Sequence, residues 1–173
     1  LWSGYGSIER WKNRDEESIV IKHIQFSDNH NHPRGWNSNF GHLRKVKSYE
    51  IENTWYENFA HKSQARVPRK LLNDKIGGSQ VIVLEDLNTS GFPVRPKYIN
   101  EKQFKACVSW LAQFHAGFMN NKGVGLWNTG TYWHLDTRPD EFKQMKSGPL
   151  KKYAAKIDQI LSRCTYKTLV HGD

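Results

Sequence analysis

Strand-type runs dominate this chain before residue 86, and helical stripes dominate after residue 100. Ser18 to Phe26 is rich in β-branched residues, and Val81-Ile82-Val83-Leu84 is a short continuous apolar run of the kind found in buried strands. Ile8 to Trp11, after the glycines Gly4 and Gly6, reads as a further strand, with Trp2 to Tyr5 before it and the polar turn Asn13 to Glu17 behind it. One helical stretch, about Leu43 to His61, interrupts the strands, and Pro68 and Gly77-Gly78 bracket a short connection after it. Past Asn100, which with Gln103 forms a capping box, Phe104, Cys107, Val108, Leu111, Phe114 and Phe118 recur at helical spacing. Behind Gly148-Pro149, Leu150, Tyr153, Ala154, Ile157, Ile160 and Leu161 do the same. Strands first and helices afterwards predict an α+β fold. The polar, Gly- and Pro-bearing stretch from Glu85 to Pro96 sets the expected boundary, with lobes at 1–86 and 87–173.

Composition narrows the function. With 173 residues and 37% hydrophobic content, the chain has enough apolar material for a core. No run of about 18 apolar residues offers a membrane span and no leader precedes the first strand, so we expect a soluble, cytoplasmic protein. Cys107 and Cys164 lack metal-type spacing and are expected as reduced thiols in or near the core. The net charge of +9 suits an anionic partner. A nucleic acid is disfavoured, because the basic residues form no block and most aromatics fall on core stripes.

Several residues stand where chemistry is expected. Gly4-Tyr5-Gly6-Ser7 lies in a hairpin, where glycines let backbone amides approach a polyphosphate, although a plain hairpin needs glycine equally. Lys22 interrupts an apolar strand and shares a face with Val20 and Ile24. It suits either an anion or a solvated sheet edge. At 100° per residue, Glu52 falls among Tyr49, Trp55, Tyr56, Phe59 and Ala60, and a carboxylate on such a face requires a cation, which Lys22 can supply. His30, His32 and His42 sit in the loop Asp28 to His42 without carboxylate or cysteine company, so no metal site is expected there. The apolar run Thr168-Leu169-Val170 delivers His171-Gly172-Asp173. That tripeptide alone fits any solvated turn as well as a catalytic loop.

Taken in order, Gly4-Tyr5-Gly6, Ile21-Lys22, Glu52-x-x-Trp55-Tyr56, Val83-Leu84-Glu85-Asp86-Leu87, Trp110-Leu111-Ala112-x-x-His115-Ala116 and Val170-His171-Gly172-Asp173 resemble the aminoglycoside phosphotransferase and choline kinase-like superfamily, nearest its ecdysteroid kinase-like branch. The resemblance implies a two-lobed, protein kinase-like fold and an ATP-dependent small-molecule kinase. In that pattern Lys22 and Glu52 hold the phosphates, the backbone of Leu84, Glu85, Asp86 and Leu87 binds adenine, and Val20 lines the adenine pocket. Tyr5, Gly6 and Ser7 with Gly4 cover the phosphates, and Asp173 is the base for the attacking hydroxyl. His115 is expected to be structural, as a hydrogen-bonded core histidine, and His171 to brace the loop.

The superfamily also implies magnesium, held by an Asn and an Asp that follow the His-Gly-Asp loop, and neither is in this sequence. Asp86 is no substitute, being placed in the hinge. Both ends of the sequence read as cut, so we expect this 173-residue form to be inactive. The rival reading is a kinase-like module that binds nucleotide or a partner without catalysis. The sequence names neither the acceptor alcohol nor the oligomeric state.

Overall fold

The computed structural model describes residues 1, 4–15, 17–26, 39–130 and 135–172. Expectations that rest on Trp2, His30, His32 and Asp173 fall outside this range. Within it, strands β1 (Gly6–Lys12) and β2 (Ser18–Ile24) are followed by helix α1 (Asn39–Asn58), strands β3 (Lys70–Ile76) and β4 (Ser79–Glu85), and helices α2 (Glu101–Gly117), α3 (Pro139–Gln144) and α4 (Pro149–Ser162). The fold is α+β, with an antiparallel sheet ordered β1-β2-β4-β3. Among the described residues no helix is long and apolar enough to cross a membrane.

Period-two patterning sets the sheet's faces. Lys22 lies opposite Ile8 on β1 and Ile82 on β4, and Val20 lies opposite Arg10 and Leu84. Tyr5, Ile24, Tyr49 and Ile82 form a buried cluster, with Tyr56 and Leu84 packed on it, so α1 covers the face that carries Lys22. A second cluster, Phe59, Ala65, Phe114 and Phe118, joins the end of α1 to α2, with Trp55, Trp110, Leu126 and Leu169 against it. Burying one such phenyl ring contributes about 2–3 kcal/mol.

Several expectations require correction. Lys70–Ile76 is a strand, not a connection; it is an exposed edge whose sequence KLLNDKI lacks alternation, so its pairing with β4 carries the structure. The loop expected as far as His42 ends earlier, because α1 starts at Asn39 and takes in Gly41 and His42. Lys22 is on the second described strand, since Gly4 and Tyr5 form an irregular lead-in to β1 and not a strand. Both cysteines are exposed. So are Phe104, Val108 and Leu111 of α2, and Leu150, Tyr153, Ile157, Ile160 and Leu161 of α4. The aromatic cluster reaches only the last turns of α2, where Phe114 and Phe118 are buried, and no described element covers the rest. The capping box at Asn100 is present: Gln103 N–H donates to Asn100 Oδ1 and Asn100 N–H to Gln103 Oε1, both at 2.9 Å.

Candidate active site

β2 and α1 supply the centre of the site. Lys22 projects from the apolar face of β2, and its ammonium donates to a carboxylate oxygen of Glu52 on α1. Both side chains are largely shielded, at 14% and 30% exposed, so the pair is desolvated enough to hold a fixed geometry. Lys22 Nζ also lies 5.2 Å from the centre of the Tyr49 ring. Burial, then the Glu52 charge, push the hydroxyls of both Tyr49 and Tyr56 up to about 12, so both stay neutral.

The segment Gly4–Ser7 is tied to α1 through Tyr5. Tyr5 O–H and His42 Nδ1 share a 2.7 Å hydrogen bond, and the Tyr5 ring packs on His42 and Tyr49 at 5.8 and 5.9 Å. The Tyr5 side chain is thus core material that anchors the segment. Gly6 carries φ +119°, and a Cβ there would stand 2.0 Å from the His23 carbonyl oxygen, so only glycine lets β1 approach β2 at that point. Gly4 is exposed, and the Ser7 hydroxyl donates to Glu9 at 2.8 Å.

The segment after β4 is already partly engaged. Glu85 N–H donates to the Arg69 carbonyl at 2.9 Å, the Asp86 carbonyl accepts from Ser90 N–H at 3.1 Å and the Leu87 carbonyl from Phe92 N–H at 2.8 Å. The Leu87 N–H meets no acceptor among the described residues. Leu84 packs against the first core cluster and Val20 is half-buried on the same face of the sheet. Asp86 is buried under Arg10, Ser18 and its own turn, taking bonds from Arg10 Nε at 2.5 Å, Ser18 Oγ at 2.7 Å and Asn88 N–H at 3.0 Å. Burial raises its pKa, but these donors outweigh that and hold it below the ordinary carboxylate value. Its oxygens brace the turn. Arg66, 2.5 Å from the Glu85 carboxylate, lowers Glu85 likewise.

The segment before Asp173 lies along the end of α2. Thr168 Oγ donates to the His115 carbonyl at 2.6 Å, Asn120 N–H donates to the Lys167 carbonyl at 2.8 Å, and Leu169 enters the second cluster. His171 sets its ring edge-on to Trp110 and Phe114, at 5.6 and 6.3 Å, in agreement with a bracing role. Against the expectation of a hydrogen-bonded ring, the buried His115 Nε2 has no hydrogen-bond partner among the described residues, and the residue's contact with Thr168 is through its backbone carbonyl.

Trp55, one turn after Glu52, stacks on Phe59 and meets Phe114 and Phe118 at 5.4 and 5.3 Å. The same helix therefore carries the partner of Lys22 and leans on the helix that seats residues 167–172. Its other end is held by an ion cluster that sequence reasoning missed. Arg44 grips both oxygens of Glu141 on α3 at 2.8 and 3.3 Å, and Arg138 adds a contact at 2.8 Å. Burial works to raise Glu141, yet the two arginines bring it down to about 2. Arg44 and Glu141 are 97 positions apart, so no local pattern announces them.

An open hollow of about 520 Å³ lined by Asn100, Glu101, Lys102 and Lys105 lies at the start of α2, apart from these residues. Among the described residues, no three His, Cys, Asp or Glu side chains gather as a metal site would require.

A family model, that of the ecdysteroid kinase-like family, matches residues 14–124. The match takes in Lys22, Glu52 and the 84–87 segment, and it leaves Gly4–Ser7 and His171–Asp173 outside. No curated protein and no solved structure matches the chain.

Proposed function

The chain belongs to the ecdysteroid kinase-like family, and from that premise we propose that it is an ATP-dependent phosphotransferase acting on a hydroxyl of a small molecule. The observation that carries this reading is the shielded ion pair between Lys22 on β2 and Glu52 on α1. In kinase-type phosphoryl transfer such a pair holds the inner phosphates, and the protein's work is positioning and charge stabilisation. In this reading residues 1–86 form the nucleotide lobe, and 87–173 form the hinge and helical part. Adenine lies against Val20 and Leu84 and takes a hydrogen bond from the free Leu87 N–H. The backbone of Gly4–Ser7, anchored through Tyr5, faces the phosphates.

Asp173, delivered by the segment that Thr168 and His171 fasten to α2, accepts the proton of the acceptor hydroxyl. That oxygen bonds to the γ-phosphorus as the bond to the β–γ bridging oxygen breaks, giving a phosphate ester and ADP. The superfamily's magnesium would neutralise phosphate charge. The described residues do not make a site for it, and no step here runs through the metal. With ATP as donor, we place the activity in the cytoplasm.

The test is ATP turnover across a panel of small alcohols, for the full-length parent protein and for Asp173→Asn in it. We expect kcat to fall roughly a hundred- to ten-thousandfold while ATP binding is retained, because a base acts in transfer and not in holding adenine. Undiminished turnover in the Asn variant removes Asp173 from this role, and absence of ATP binding by the parent protein refutes the reading as a whole.

A further inference from the structure

Lys45 on α1 has no task in the reading above. It is half-buried, and its Nζ takes part in no ion pair or hydrogen bond among the described residues. It lies 4.9 Å from the centre of the Tyr49 ring, the same ring that Lys22 approaches at 5.2 Å. The charges it feels are three cations, Lys22, Arg44 and Arg138, and one carboxylate, Glu52, which is already paired with Lys22. The two arginines share Glu141. Burial, followed by the Lys22 charge, pulls the Lys45 pKa below that of an ordinary lysine.

An ammonium with little water and mostly like-charged neighbours is unfavourable. The Tyr49 quadrupole offsets only part of that. An anion within reach of both ammoniums removes the conflict. Lys45 also stands two helical turns before Glu52, toward the end of α1 that meets the glycine-bearing segment through the Tyr5–His42 bond.

We propose that Lys45 is a second phosphate-binding residue, which takes the outer phosphates of the nucleotide while Lys22 takes the inner ones. This rests on the nucleotide reading of the same site. Lys45 is placed by its phase on the helix: Lys45, Tyr49, Glu52 and Tyr56 follow one another on one face, so the helix that orients Lys22 also presents the second cation.

Calorimetric titration with ATP, adenosine and inorganic tripolyphosphate tests it, on the parent protein, Lys45→Met, Lys45→Arg and Lys22→Met. Loss of one charge-assisted contact should weaken ATP and tripolyphosphate binding about ten- to hundredfold in Lys45→Met. Adenosine affinity should not change, and Lys45→Arg should retain most phosphate affinity. The melting temperature of Lys45→Met should hold or rise, because a like charge has been removed. Unchanged ATP affinity in Lys45→Met, with a loss in Lys22→Met, overturns this assignment and leaves the nucleotide reading standing. Lys45-dependent binding of tripolyphosphate without binding of ATP keeps the cation site and overturns the nucleotide reading. Failure of the parent protein to bind either anion overturns both.

Discussion

Substituting Glu141 by Gln tests how strongly α1 is held from the helical side. The Glu141 carboxyl titrates at about 2 in the folded protein, against 4.5 for an ordinary Glu, although burial alone would raise it. At about 1.4 kcal/mol per tenfold change in proton affinity, that difference corresponds to about 3 kcal/mol of folding stability. Arg44 and Glu141 are only 18% and 22% exposed, so water screens the pair less than it would a surface bridge. A carboxyl whose folded pKa lies below its unfolded value contributes fully above the unfolded value, and the contribution is lost as pH falls toward the folded one. The relevant window therefore runs downward from about pH 4.5 to about pH 2. Urea unfolding followed by tryptophan fluorescence should give Glu141→Gln a deficit of up to about 3 kcal/mol near pH 6. That deficit should narrow steadily as both proteins are acidified below about pH 4.5. A gap that stays constant with pH would mean that shape, and not charge, holds the helix, and would refute the argument.

Tyr49 carries a buried hydroxyl without a hydrogen-bond partner among the described residues. Tyr49→Phe keeps the ring under Lys22 and Lys45, so we expect unchanged or higher stability, by up to about 1 kcal/mol in thermal unfolding; a large loss would show that the hydroxyl is bonded. Gly6→Ala should cost about 3 kcal/mol or more, because its Cβ would collide with the His23 carbonyl oxygen, whereas Gly4→Ala, with nothing within 4 Å, should cost only about 1 kcal/mol. Equal melting temperatures for these two variants would refute the close approach of β1 to β2.

The Lys22–Glu52 contact was legible because each residue breaks an apolar pattern, one of period two and one of period 3.6, and a charge on such a face must find its opposite. β4, α4 and the Asn100 capping box were legible for similarly local reasons. β3 was not, because an exposed edge strand needs no apolar alternation and is recognised only through its ladder with β4. Lys45 was invisible because it sits in the run Arg44-Lys45-Val46-Lys47, which reads as a solvated surface until the sheet and α3 are placed around it. The exposed stripes of α2 and α4 show the converse limit. Helical spacing identifies an apolar face, but not whether anything packs on it.

Helix α1 is fastened at its two ends by forces with opposite sensitivities. Near its start, Arg44 and Glu141 make an ionic tie that added salt weakens, though less than it would a surface pair. Near its end, Trp55 and Phe59 sit among Phe114 and Phe118 in an aromatic contact that kosmotropic salts strengthen and cooling weakens. Ionic strength and temperature therefore act on this helix as separate handles, each loosening a different end. Glu52 lies between the two, so its contact with Lys22 depends on both fastenings of the helix.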